Sequence, residues 1–438
     1  MNSLGHLPPL LLVIDYWNKT PTRVWQDEGS MLAGLQQHCR IRRVAIQAPS
    51  PSLRSCLLTM SNNFPVLDDL SLLCTTEGEE TLVLPHTLQT PNLRHLKLQG
   101  IGLPIELPLL AFTGNTPTLI TLTLTRISPY CYFPPAYLVT QLQGLPHLEE
   151  LSIGFAVPVP LPSTEGKLLP APTLHVSLPT LKRLLFSGVG VYLENFVAQI
   201  KAPLLQRLTI TLFFELTYTL GKLSQFVQMA EGLRCLPVRV LFDSVGVSVT
   251  TSSGESQDSR GLTLNVGCKP LDWQIDSATQ VCDVLGPTTV EELTLDLDGD
   301  GMPSNWENTL HSTLWHGLLL PFSHLKKLCI GSALTSELSD ALKPDAGGLV
   351  LSLLPGLQDL EVQFDIDDAF STFIKSRERP GQPICLSVPP MPQLRTIAKY
   401  VKNISRPYQK QAMELVSICR TLEQAPEQTP ASKAKLRV

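Results

Sequence analysis

A short apolar motif, Leu-x-x-Leu-x-Leu, recurs along the chain at near-constant spacing and limits its fold more than any other feature. It reads Leu67…Leu70-Ser71-Leu72, Leu93…Leu96-Lys97-Leu98, Leu119…Leu122-Thr123-Leu124 and Leu148…Leu151-Ser152-Ile153. It continues as Leu181…Leu184-Leu185-Phe186 and Leu205…Leu208-Thr209-Ile210. After a gap it returns as Val290…Leu293-Thr294-Leu295, Leu325…Leu328-Cys329-Ile330 and Leu357…Leu360-Glu361-Val362. A proline stands two residues before most leading leucines, and a proline-free copy, Ile41…Val44-Ala45-Ile46, opens the series. The leading apolar residues fall at 41, 67, 93 and 119, three steps of 26, followed by steps of 29, 33 and 24.

That period predicts an α/β leucine-rich-repeat-like solenoid, a curved sheet of short parallel strands with outer helices. Each motif reads as a tight turn entering a strand, with the leucines inward and the alternating residues outward. Segments at 103–112, 136–145 and 220–233 carry apolar residues at helical spacing. A chain of 438 residues exceeds what one compact core usually supports, whereas a repeat array can grow freely. Residues 1–36 read as an N-terminal strand and turn cap, and 37–250 as the first array. Residues 251–392 read as a longer-repeat part of the same solenoid, 393–424 as a helical cap and 425–438 as a disordered tail. The repeat breaks over 236–285, where strands are expected at 238–242, 245–250 and 262–266, and the polar run 250–260 marks a soft boundary.

The leucines are core residues, so function is expected on the outward strand positions. These are Asp69, Ser71, His95, Lys97, Gln99, Thr121, Thr123, Thr125, Glu150, Ser152, Arg183, Arg207 and Thr209. In the second half they are Glu292, Thr294, Asp296, Lys327, Asp359, Glu361 and Gln363. The row is mixed and mostly small or polar, which favours a protein partner over a nucleic-acid backbone. The net charge of -5 points the same way.

Other motifs add little chemistry. Asp296, Asp298 and Asp300, with Gly301 and Glu307, fit the D-x-D-x-D-G-x₅-E spacing of a calcium loop. The stretch before it is a repeat strand rather than a helix, and Pro303 takes the central apolar position, so an acidic turn is expected there. His311 and His316 lack the Glu of a zinc-helix motif, and no nucleotide-binding glycine loop or nucleophile elbow occurs. No metal, cofactor or catalytic residue is expected. The ten cysteines include no C-x-x-C, and several hold apolar strand positions, which fits a reduced intracellular setting, cytoplasmic or nuclear. The apolar run Leu7–Ile14 lacks a basic leader and reads as a strand, and no run is long enough to span a membrane. Asn18 and Asn403 sit in glycosylation sequons that read as chance matches. Arg395, Lys399, Lys402, Arg406 and Lys410 give the C-terminal helical segment a basic face.

The second half carries a more specific likeness. Leu271-Asp272-Trp273-Gln274-Ile275, Trp306-Glu307-Asn308, Trp315 with Pro321-Phe322-Ser323-His324-Leu325-Lys326, Leu353-Leu354-Pro355-Gly356-Leu357 and Asp368-Ala369-Phe370 resemble the F-box/leucine-rich-repeat-like proteins of mushroom-forming fungi. The likeness covers about 265–388, with looser repeats before it. It implies a repeat domain that holds a protein target, and an F-box that would dock a cullin-ligase adaptor subunit. Here the residues ahead of the first repeat read as strand and turn, without an F-box. The expected function is therefore that of a non-enzymatic protein-binding repeat protein, resembling the substrate-recognition part of an F-box ubiquitin-ligase adaptor. The alternative is a structural scaffold with no ligase link.

Overall fold

The computed structural model describes residues 11–16, 28–76, 82–85, 88–103, 118–158, 175–233, 237–252, 260–286, 289–297, 312–331, 334, 335, 338, 341, 342, 353–362 and 384–387. The chain is mixed α/β and forms two compact units, Met1–Pro287 and Thr288–Val438.

The first unit carries strands β1 (Leu12–Tyr16), β2 (Ile41–Ala48), β3 (Asp69–Cys74), β4 (His95–Gln99), β5 (Thr121–Ile127) and β6 (Glu150–Phe155). It continues with β7 (Val176–Ser177), β8 (Arg183–Gly188), β9 (Ile200–Lys201), β10 (Arg207–Leu212), β11 (Val238–Phe242), β12 (Val247–Ser252) and β13 (Gly261–Val266). Its large sheet has the order β1-β2-β3-β4-β5-β6-β8-β10-β13-β12-β11, while β7 and β9 form a small parallel pair. Every pairing in the large sheet is parallel except those of β12, which lies antiparallel to both β11 and β13. Helices are α1 (Glu28–Leu35), α2 (Ser50–Thr59), α3 (Pro135–Leu142), α4 (Gly190–Val197), α5 (Gly221–Met229) and α6 (Leu271–Cys282). Within this series α1 packs on α2, α3 on α4 and α4 on α5. The second unit pairs β14 (Glu292–Leu297), β15 (Lys327–Ile330), β16 (Asp359–Val362) and β17 (Cys385–Ser387) in parallel, with α7 at Ser312–Leu319. No closed barrel forms among the described residues.

The recurring proline has a local cause. Each leading leucine closes a four-residue turn by donating its N–H three residues back: Leu67 to Phe64 O, Leu93 to Thr90 O, Leu148 to Leu145 O, Leu181 to Leu178 O and Leu205 to Ala202 O. In each of these turns proline holds the second position, where its fixed φ suits the bend and its missing N–H costs nothing. The turns are stitched to one another by side chains. Asn92 Nδ2 donates to Pro65 O (2.7 Å), Thr118 Oγ1 to Leu93 O (2.8 Å) and Thr180 Oγ1 to Leu148 O (2.9 Å). Just past the turn, one carbonyl per repeat accepts two N–H groups from the next: Asp68 O from Arg94 and His95, Arg94 O from Ile120 and Thr121, Glu149 O from Lys182 and Arg183. The leucines then alternate inward. Leu70, Leu72, Leu98, Leu122, Leu151, Leu184, Leu208, Ile210 and Leu264 are fully buried.

Three helices that lack local side-chain caps receive them from other segments. Pro49, Val189 and Leu220 hold the N-cap positions of α2, α4 and α5 without a side-chain cap bond. Instead Thr76 Oγ1 accepts from Ser50 N (3.0 Å) and Glu215 Oε1 from Gly190 N (2.6 Å). Glu194 takes both Lys222 N (2.9 Å) and Leu223 N (2.7 Å). One hydroxyl and two carboxylates at these positive helix ends thus satisfy donors that would otherwise be orphaned.

Several expectations meet a different structure. The first 36 residues contain helix α1 besides the expected strand, and that strand begins at Leu12; residues 1–10 and 17–27 lie outside the described residues. The polar run 250–260 begins inside β12, whose Thr250, Thr251 and Ser252 pair with β13, and its remainder connects the β12–β13 hairpin, while the two compact units divide at Pro287. The expected helix at 103–112, the C-terminal helical segment at 393–424 and the tail at 425–438 fall almost wholly outside the described residues.

Candidate functional site

The face of the parallel strands opposite the leucines brings the outward residues into rows. One row runs Arg43, Asp69, His95, Thr121, Glu150, Arg183, Arg207, each in register with the next. The next runs Ala45, Ser71, Lys97, Thr123, Ser152, Leu185, Thr209. Beyond it Ser187, Thr211 and Asn265 align, and Asn265 Nδ2 donates to Thr211 Oγ1 (3.4 Å). Parallel strands stand about 4.8 Å apart, so each row is a near-continuous line of side chains. His95, Lys97, Gln99, Thr121, Thr123, Glu150, Arg183 and Arg207 all keep exposed or half-exposed surface. Leu185 interrupts the polar surface, 38% exposed.

Much of the first row is internally paired. Arg43 Nε lies 3.2 Å from Asp69 Oδ2, Arg183 Nη2 pairs with Glu150 Oε1, and His95 Nδ1 is 3.2 Å from Thr121 Oγ1. One position earlier, Arg42 pairs with Asp68 (2.7 Å) and Lys182 with Glu149 (2.9 Å). The row through Ser71, Thr123, Ser152 and Thr209 is mostly hydroxyl, with Lys97 its one charged side chain.

The second unit repeats the arrangement. Glu292, Lys327 and Asp359 are in register, as are Thr294, Cys329 and Glu361. Lys327 Nζ reaches Glu361 (3.0 Å) and Glu292 (3.4 Å), and Lys326 reaches Glu291 (2.6 Å). The hydrogen bond to Glu361 raises the Lys327 ammonium above its usual range. Burial, with the charge of Glu361 behind it, pushes the Cys329 thiol up to about 11. Cys329 Sγ–H donates to Glu361 Oε2 (3.6 Å).

These pairs follow from a sequence signal that a reading of leucines alone passes over. The two residues inside Leu-x-x-Leu are often a like-charged doublet: Arg42-Arg43, Asp68-Asp69, Glu149-Glu150, Lys182-Arg183, Glu291-Glu292, Lys326-Lys327. Doublets of opposite sign occupy neighbouring strands. A one-residue slip would turn the pattern inside out, so the doublets reinforce the register that the leucines set.

The calcium-loop pattern is only partly in view. Asp296 Oδ1 accepts from Leu297 N (2.9 Å), and Asp298, Asp300 and Glu307 lie outside the described residues, as does Gln363. His316 Nε2 donates to Ala341 O, while His311 lies outside the described residues. Among the described residues no group of three or more His, Cys, Asp or Glu side chains is placed to hold a metal, and no helix is long and apolar enough to cross a membrane. The chain matches no protein-family model and no curated protein sequence.

Proposed function

We propose that this chain is a non-enzymatic protein-binding repeat protein, a leucine-rich-repeat-like solenoid that holds another protein against the solvent face of its parallel strands. The observation that carries the reading is the register. Hydroxyl and charged side chains from successive parallel strands form rows on one face while the leucines of the same strands are buried. A polar surface of this kind suits a protein partner, since phosphate binding would call for unpaired cations and much of the first row's charge is paired across strands. The likeness of about 265–388 to the fungal F-box/leucine-rich-repeat-like proteins supports target recognition for a ubiquitin ligase, in the cytoplasm or nucleus. The thiol-rich, disulfide-free set of described cysteines is compatible with that setting.

The test uses the hydroxyl row. Reversing Arg183 would set a carboxylate against Glu150 and confuse binding with stability, whereas Thr123→Arg with Thr209→Arg adds bulk and charge where the side chains face water. Affinity purification of the wild-type and variant chains from the native cells, followed by mass spectrometry, identifies what stays bound. The expected result is a partner retained by the wild type and lost by the variant at unchanged melting temperature. Undiminished capture by the variant would remove the strand face from the reading. Co-purification of a ligase adaptor and cullin would support the ligase role, and a stable partner without either would make the chain a scaffold.

A further inference from the structure

A second surface lies where the parallel strands end. Three segments of the first unit meet there: the loop 213–218 after β10, the turn 243–246 between β11 and β12, and the start of α6. The Phe214 ring stacks on the Trp273 indole with centroids 4.9 Å apart and planes 7° from parallel. Trp273 is nevertheless 46% exposed, so much of the residue stays in water although Phe214 stacks on one face of the indole. Leu216, in the same loop as Phe214, and Val245, in the turn, are 76% and 63% exposed.

The platform is held rigidly from below. Gln274, fully buried, shares the two hydrogens of Nε2 among Asp243 O (2.8 Å), Cys268 O (3.0 Å) and Lys269 O (3.1 Å), fastening the turn to the helix. Gln280 accepts from Tyr218 N (2.6 Å) and donates to Leu216 O (3.3 Å) and Asp276 Oδ2 (2.8 Å), fastening the loop to the same helix. Tyr218 closes the loop on itself, donating to Phe213 O (3.2 Å) and accepting from Glu215 N (2.9 Å). Apolar groups are thus kept in water by a frame of polar bonds to the helix, when a free loop could have folded them inward. Preorganised exposed aromatics of this kind form the anchor of binding surfaces.

The rim sets the chemistry of the occupant. Asp272 and Asp276 are exposed one helical turn apart on α6, beside and beyond Trp273, and Asp243 sits in the turn, where its Oδ1 accepts from Val245 N (2.6 Å) and Gly246 N (2.7 Å). Against them stands Lys269. An open indole face edged by carboxylates matches a planar cation: arginine stacks on aromatic rings and pairs with carboxylates in one pose, and it sheds its hydration more readily than lysine.

We propose that this rim docks an arginine-containing basic segment of a partner protein, with a guanidinium on the open face of Trp273 and Asp272 and Asp276 as its counter-charges. The site is separate from the strand-face rows and does not depend on the function assigned to them. The full chain is titrated against a fluorescein-labelled peptide of alternating arginine and glycine, read by fluorescence anisotropy. Peptides with lysine or glutamate in place of arginine serve as comparisons. Saturable binding in the order arginine, lysine, glutamate is expected. Trp273→Ala should weaken the arginine peptide about tenfold, as loss of an anchor does. Asp272→Asn with Asp276→Asn, which leaves the platform's packing in place, should weaken it as well and flatten its salt dependence. Binding undiminished by Trp273→Ala would mean general attraction to an acidic protein and overturn the proposal. So would equal binding of the three peptides, or self-association of the chain that Trp273→Ala abolishes.

Discussion

Charge reversal at one junction of the sheet tests how far the doublets determine strand pairing. Glu149→Lys with Glu150→Lys places two lysines against Lys182 and Arg183, replacing ion pairs of which one spans 2.9 Å. All four side chains are a third to nearly a half exposed, so each native pair contributes only ~0.2–1 kcal/mol. Reversal loses both attractions and adds repulsions of similar size, for a total cost of ~0.8–4 kcal/mol. On the far side the doublet faces Ile120 and Thr121, which carry no charge, so nothing offsets the loss there. Adding Lys182→Glu and Arg183→Glu restores opposite signs and sets the new glutamate at 183 beside Arg207, its register partner in β10. The fourfold variant should therefore recover the wild-type urea midpoint, and the deficit of the double variant should shrink in ~1 M salt, where the Debye length falls to ~3 Å. Urea unfolding followed by circular dichroism reads both effects. A fourfold variant no more stable than the double one would refute the reasoning, because the loss would then come from something other than charge pairing across β6 and β8.

Three further outcomes are expected. Leu96→Ala should lower unfolding free energy by ~2–5 kcal/mol, whereas Ser152→Ala on the opposite face should stay within ~0.5 kcal/mol; equal effects in chemical denaturation would contradict the inward and outward assignment. Gly188→Ala should cost ~1–3 kcal/mol, since a Cβ there would stand 2.8 Å from Phe186 Cζ and 2.9 Å from Phe155 Cδ2, while Gly317→Ala in α7, with open space around it, should gain ~0.5–1 kcal/mol; thermal melts decide. Stability should fall as pH rises above 9. Burial pushes the Cys56 and Cys282 thiols up to about 12, so above the ordinary thiol value the unfolded chain releases protons that the folded chain keeps. Each thiol should then remove ~1.4 kcal/mol per pH unit up to about pH 12, and Cys282→Ala should lower the observed slope by that one thiol's share; a slope unchanged by that substitution would exclude Cys282 as a source.

The sequence by itself determined the strand positions, the turns and the inward face. Those depend on contacts within a few residues: proline bends the turn, leucine alternates at period two, and the charged doublets carry register information into the neighbouring strand. It also marked the strands at 238–242 and 262–266, because their apolar content resembles that of the repeats. Only the tertiary structure decided the rest. That β12 enters the sheet antiparallel between β11 and β13 depends on which edge its hairpin meets, and alternation at period two is the same for either direction. The caps of α2, α4 and α5 come from Thr76, Glu215 and Glu194, so a search for Ser, Thr, Asp or Asn just ahead of each helix finds proline, valine and leucine. The rings of Phe155, Phe186 and Tyr192 meet because β6, β8 and α4 stack, burying the Tyr192 hydroxyl and raising its pKa well above the usual phenol value. Phe214 and Trp273 are far apart in the chain and become one surface only where the ends of β10, β11 and β13 are drawn together. Local backbone preference and side-chain period can be read along a line, but a surface built from separate segments exists only once the strands are paired.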